Sequence, residues 1–190
     1  MDAVKTQIVS QYLEEIKKID VVQDLKKMIW PFCLSTELWE NYFARTPVVD
    51  LNSLKKVKFF SEDGKSISDE VKRIPTGKGG IYIYFVENPV IPSLGRYIFY
   101  VGRARKTASE NLRSRIRSHY NKYIRFEESD RLTRLFDDWK KYTYIMYLPI
   151  DDNNTIDLVE DELIVALTPP CNKEYAATAV REKLSASFYV

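Results

Sequence analysis

Thr76-Gly77-Lys78-Gly79-Gly80-Ile81-Tyr82-Ile83-Tyr84-Phe85-Val86 is the stretch on which the fold turns. Its first five residues read as a loop, and the next six, β-branched and aromatic, as a strand. Residues 87–96 contain Pro89, Pro92 and Gly95 and connect this strand to a second one, Tyr97-Ile98-Phe99-Tyr100-Val101. The simplest arrangement is an antiparallel pair. Side chains alternate across a strand, so Tyr82 shares a face with Gly80 and Tyr84, and Tyr100 shares one with Ile98 and Gly102. A hairpin can therefore carry both phenol groups to one surface. In a chain with 13 tyrosines, plain packing with the hydroxyls at the rim explains the pattern more simply.

Downstream, a helix is predicted from about Ser109 to Ile124. Leu132, Leu135, Phe136 and Trp139 signal a second, Tyr142–Leu148 a third strand, and Ile156–Leu167 a further helix stopped by Pro169 and Pro170. A short helix around Ala176–Lys183 closes the chain. Upstream, Ile8, Tyr12, Ile16 and Ile19 recur at helical spacing, and Val22, Leu25 and Ile29 extend the stripe toward Pro31. The aromatics of residues 32–75 are expected to pack on the rest of the molecule, with a turn at Ser61–Lys65. The order β-β-α-α-β-α predicts an α+β fold: a small three-stranded antiparallel sheet flanked by helices over 76–190, with a mainly helical N-terminal extension over 1–75.

With 190 residues, 45% hydrophobic and 29% charged, the composition is that of a globular protein. A net charge of +2 does not by itself mark a nucleic-acid binder. A leader pattern and a bilayer-length apolar run are both lacking, so the expectation is a cytoplasmic chain without a membrane partner. Two distant cysteines, Cys33 and Cys171, form no disulfide framework, and one histidine, His119, argues against structural zinc.

Charge is uneven along the chain. Between positions 100 and 125, Arg103, Arg105, Lys106, Arg113, Arg115, Arg117, Lys122 and Arg125 face a single acid, Glu110. Such an excess suits phosphate neutralisation better than a salt-bridged helix surface, where signs alternate. Arg115 and His119 lie one turn apart on the same helix face. A lone histidine is more often structural, although its titration near neutrality suits acid/base work. Glu160 falls on the apolar stripe of Ile156, Leu163, Ile164 and Leu167, where a carboxylate needs a partner. An arginine of the preceding helix and a metal ion serve equally. Asn172, after the prolines, reads as a turn residue.

These elements, in this order, resemble the GIY-YIG nuclease family. Gly80-Ile81-Tyr82 matches its first motif and Tyr100-Val101-Gly102 is a variant of its second. Arg115 followed by His119 is similar to its helical motif, Glu160-Asp161-Glu162-Leu163-Ile164 to its E-x-x-L-I, and Pro170-Cys171-Asn172 to its closing proline and asparagine. The likeness spans about residues 78–175, with a longer link between the first two strands than is usual.

The resemblance implies a divalent-metal-dependent DNA endonuclease, with Tyr82, Tyr100, Arg115, His119, Glu160 and Asn172 at the catalytic site. It makes Glu160 the metal ligand for Mg²⁺, with Mn²⁺ as a substitute. His119 stands where restriction-type members carry a histidine beside the first tyrosine. Arg103, Arg105, Lys106, Arg113, Arg117 and Lys122 are the candidate contacts to double-stranded DNA. One such site cuts one strand, so cutting both would call for a homodimer or two binding events. A restriction or genome-defence enzyme is the leading expectation. A repair or structure-selective nuclease is the second, and a non-catalytic nucleic-acid-binding module the competing class.

Overall fold

A computed structural model describes Trp30, Phe32, residues 34–45, 49–91 and 94–172. The helices expected within 1–29 and around 176–183 lie outside the described residues. The chain divides into two compact units, Met1–Pro31 and Phe32–Val190, and the second holds every element below. Among the described residues it contains α1 (Thr36–Arg45), β1 (Lys55–Lys58), α2 (Asp69–Lys72), β2 (Gly79–Glu87), β3 (Arg96–Ala104), α3 (Leu112–Ile124), α4 (Asp130–Trp139), β4 (Thr143–Ile150) and α5 (Asn153–Leu167).

The fold is α+β, but its sheet has four strands, not the three expected, in the order β1-β4-β2-β3, all pairs antiparallel. The added strand is Lys55-Lys56-Val57-Lys58, inside the stretch read as a helical extension. Three lysines in four residues hide the apolar alternation that announces a strand. On an edge those lysines are useful, because charge there discourages pairing with other chains. Glu87 receives Lys56 and Arg96, which ties β1 to the far end of the β2–β3 hairpin.

Strand β2 is buried along its whole length, flanked by β3 and β4 and covered on both faces, which accounts for its nearly unbroken apolar sequence. Ile81, Ile83 and Val101 look toward α5, where they meet Val159, Leu163 and Ile164, with Tyr42 of α1 in the same cluster. Tyr82 and Tyr84 look the other way. On that side Phe59 and Phe136 flank Tyr84, with ring centroids 5.0 Å and 5.5 Å from it, and Phe60 packs against both phenylalanines. Phe59 and Phe60 are wholly buried, so residues just before the hairpin belong to its core.

Helix α3 starts with a capping box in which Asn111 and Ser114 exchange side-chain and backbone bonds. The cap fixes where the helix begins and turns Leu112, Ile116 and His119 inward. Helix α5 ends where Thr168 adopts a left-handed conformation and Pro169-Pro170 cannot continue it. The chain then crosses to the outer edge of β3. Cys171 N–H donates to the Phe99 carbonyl at 2.8 Å. The Asn172 side chain accepts from Val101 N–H at 3.0 Å and donates to Val101 C=O at 2.8 Å. One amide thus replaces a neighbouring strand. Asn172→Ala should orphan both backbone groups and lower stability by about 2–4 kcal/mol, measured by urea denaturation. No helix among the described residues is long and apolar enough to cross a membrane.

Candidate active site

One glycine sets how β2 enters the sheet, and another how closely the phenols approach. Gly80 has φ +142°, and a Cβ there would lie 2.0 Å from the Leu148 carbonyl oxygen. No side chain fits, so this residue sets the entry of β2 beside β4. Gly102 lies opposite Tyr82 across the β2–β3 ladder. A Cβ on it would come within 2.6 Å of the Tyr82 hydroxyl and of Tyr100 Cε1. Both rings therefore rest against bare backbone, with centroids 6.1 Å apart. Gly102→Ala should push the two rings apart at a cost of about 1–3 kcal/mol, read out by thermal melting and the tyrosine near-ultraviolet signal.

Tyr82 is fully buried, and its hydroxyl lies 2.8 Å from His119 Nε2. The other ring nitrogen, Nδ1, is 2.7 Å from Glu128 Oε2. His119 and Glu128 side chains are each only 6% exposed, so this three-membered chain is shielded from solvent. Glu128 Oε1 also accepts the Ser129 N–H at 2.9 Å, at the start of α4. Burial alone would raise the Glu128 pKa. The bond and charge of His119, with the Ser129 N–H and the Lys122 charge, outweigh it and hold the carboxyl below its usual range.

The tyrosines behave differently. Burial, then the neighbouring Tyr100 and Tyr84, push Tyr82 well above the ordinary phenol range, and Arg115 opposes them only in part. Burial and the Glu160 charge raise Tyr100, opposed by Arg115 and the Tyr82 hydroxyl. Arg115 thus sits among both phenols, and its Nε is a buried donor without a protein acceptor. Tyr82, Tyr100, Arg115 and His119 meet in one place, as the helical spacing and the hairpin together suggest.

Glu160 arrives from elsewhere. It belongs to α5, which covers the opposite face of the sheet, and its charge is felt at Tyr100 across β3. Its partner is Arg103 of that strand. Of the two partners the sequence left open, an arginine of the preceding helix is not the one that pairs, because α3 packs on the other side. Burial raises the Glu160 pKa, and Arg103 offsets this incompletely. A half-compensated carboxylate suits one hard cation. Among the described residues no three His, Cys, Asp or Glu side chains are placed to hold a metal ion together. Mg²⁺ does not need them, since it is commonly held by one or two carboxylates, waters and substrate phosphate. The donor at Glu160 fits such an ion. Asn172 takes no part in the cluster and braces the β3 edge instead.

The basic residues fall into two groups. Arg103 also reaches Asp157 at 3.1 Å and Asp161 at 3.8 Å. Arg105 forms a forked pair with Asp157, Lys106 reaches Asp151 at 2.9 Å, and Arg113 donates to the Ile74 carbonyl. Arg117 and Lys122 stay exposed on α3. The acids that neutralise Arg103, Arg105 and Lys106 lie roughly fifty positions downstream, outside any local charge count. Glu128 was missed for a similar reason, since Glu127-Glu128-Ser129 looks like a polar connection. Its only local signal is an acid placed directly before a helix start. Compared with family models, curated proteins and solved structures, the chain finds no match.

Proposed function

We propose that this chain is a divalent-metal-dependent endonuclease of the GIY-YIG kind that hydrolyses DNA phosphodiester bonds in restriction or genome defence. The observation that carries the proposal is the shielded contact between the Tyr82 hydroxyl and His119 Nε2, beside Arg115 and Tyr100. A purely structural core gains little from gathering two phenols, an imidazole and a guanidinium where an unpartnered donor is left over.

In this reading the Arg115 fork binds phosphoryl oxygens, with its buried Nε as one donor. The Tyr82 oxygen is closed to solvent in this structure, so substrate binding has to bring the attacking water against it; the water then gives that oxygen a proton as the Tyr82 proton passes to His119 Nε2. The water oxygen bonds to phosphorus, the bond to the leaving oxygen breaks, and that oxygen takes a proton from solvent. Because burial holds Tyr82 protonated, no free phenolate forms beforehand, and the two proton movements are coupled. Tyr100 orients the water or the phosphate. Glu160 would hold the metal, and the chemistry such an ion supplies when bound is Lewis-acid neutralisation of the phosphoryl and leaving oxygens. Arg117 and Lys122 are the candidate phosphate contacts left open on α3.

The test is incubation of the full chain with supercoiled plasmid and Mg²⁺ or Mn²⁺, followed by sequencing of the ends. Discrete fragments with defined ends support a restriction enzyme. Binding without cleavage in either ion overturns the proposal.

A further inference from the structure

We infer that Glu128 is a positioning residue that keeps the His119 proton on Nδ1, so that Nε2 faces Tyr82 as an acceptor. This rests on the nuclease reading for its purpose, but the contact itself is independent of it. Among the described residues the carboxylate bonds to His119 Nδ1 and to Ser129 N–H, and not to Tyr82.

For a neutral imidazole the arrangement has one consistent proton assignment. An ionised Glu128 can only accept, so Nδ1 must donate to Oε2 and Ser129 N–H must donate to Oε1. His119 Nε2 is then a lone pair, and the Tyr82 hydroxyl must donate to it. This is the direction in which Tyr82 has to lose its proton. When the proton arrives, the imidazolium lies 2.7 Å from an anion rather than isolated in a buried pocket. The other groups facing the ring do not compete for Nδ1. Tyr84 and Tyr100 meet it edge to face, with centroids at 5.7 and 5.6 Å, and Arg115 lies with the phenols. A helix-capping role alone would not account for the second bond. Ser129 already stands at the N-cap of α4, and one carboxylate oxygen satisfies its N–H.

The substitution that separates the two roles is Glu128→Gln. Ser129 N–H still demands an oxygen, so the amide carbonyl turns toward it and the NH₂ group faces Nδ1. A donor there forces Nδ1 to accept and moves the ring proton to Nε2, where it opposes the Tyr82 hydroxyl. The chain has one histidine, so ¹⁵N NMR of the imidazole reports this site without ambiguity. The expected results are an Nδ1-protonated neutral ring in the wild type and an Nε2-protonated ring in the variant. The cleavage kcat should fall roughly 10²–10⁴-fold with KM little changed. A wild-type ring protonated on Nε2 overturns the inference even if the variant does not fold. So does a variant that keeps the Nδ1 proton and full kcat. A wild type that cuts no DNA, with the tautomers as expected, would overturn the nuclease reading and leave the Glu128 assignment standing.

Discussion

Tyr82→Phe is expected to lower Mg²⁺-dependent plasmid cleavage by roughly 10²–10⁴-fold, the usual contribution of one proton-transfer group. The ring stays, so its packing over Gly102 and against Tyr84 is unchanged. What disappears is the hydroxyl that is hydrogen-bonded to His119, which in the proposed mechanism relays the proton of the water. The loss also leaves His119 Nε2 buried without its partner, which should cost about 1–3 kcal/mol in stability. That is small enough for the variant to be compared folded, and circular dichroism with a urea titration checks it. DNA affinity, measured by fluorescence anisotropy with Ca²⁺ in place of Mg²⁺, should stay within a few-fold. An unchanged cleavage rate would transfer the base to another group. The shift of Tyr82 to high pKa gives the experiment its edge. A phenol that ionised alone at neutral pH would not need His119, whereas a buried one does.

Glu160→Ala should have the other large effect. Lewis-acid assistance is worth several kcal/mol, and each 1.36 kcal/mol is tenfold in rate, so cleavage should drop by about 10³-fold or more. The structure makes this variant unusually clean. Arg103 keeps Asp157 and Asp161 when Glu160 is removed, so no half-buried guanidinium is stranded. Glu160 itself is held protonation-prone by burial, so its removal relieves a desolvation penalty rather than adding one. Binding to DNA should be retained or slightly tighter, since a negative charge leaves the surface. The measurement is cleavage across a Mg²⁺ titration beside anisotropy on the same duplex. Mg²⁺-dependent cleavage that survives the substitution would remove Glu160 from metal binding.

Much of the hairpin is written in local chemistry. A strand of β-branched and aromatic residues, a glycine before it and a glycine within the next strand are readable because each acts on its immediate neighbours. The same holds for Arg115 and His119, which helical geometry alone puts on one face, and for the stop at Pro169-Pro170. The described end of α5 and the start of α3 follow from these short-range rules. The lysine-rich β1 escapes them, because an edge strand buries little on either side and its sequence resembles a surface loop.

By itself the sequence determined which residues lie on which face of each element, since a strand repeats every two residues and a helix every 3.6. Only the tertiary structure decided who meets whom across the chain. Arg103 pairs with an acid 57 positions away, and Asn172 closes a strand edge 71 positions away. Glu128 reaches His119 because the α3–α4 connection doubles back. Such partners are chosen by burial, where an unpaired charge or amide is costly. Burial depends on all the elements packing at once, and no local repeat encodes it.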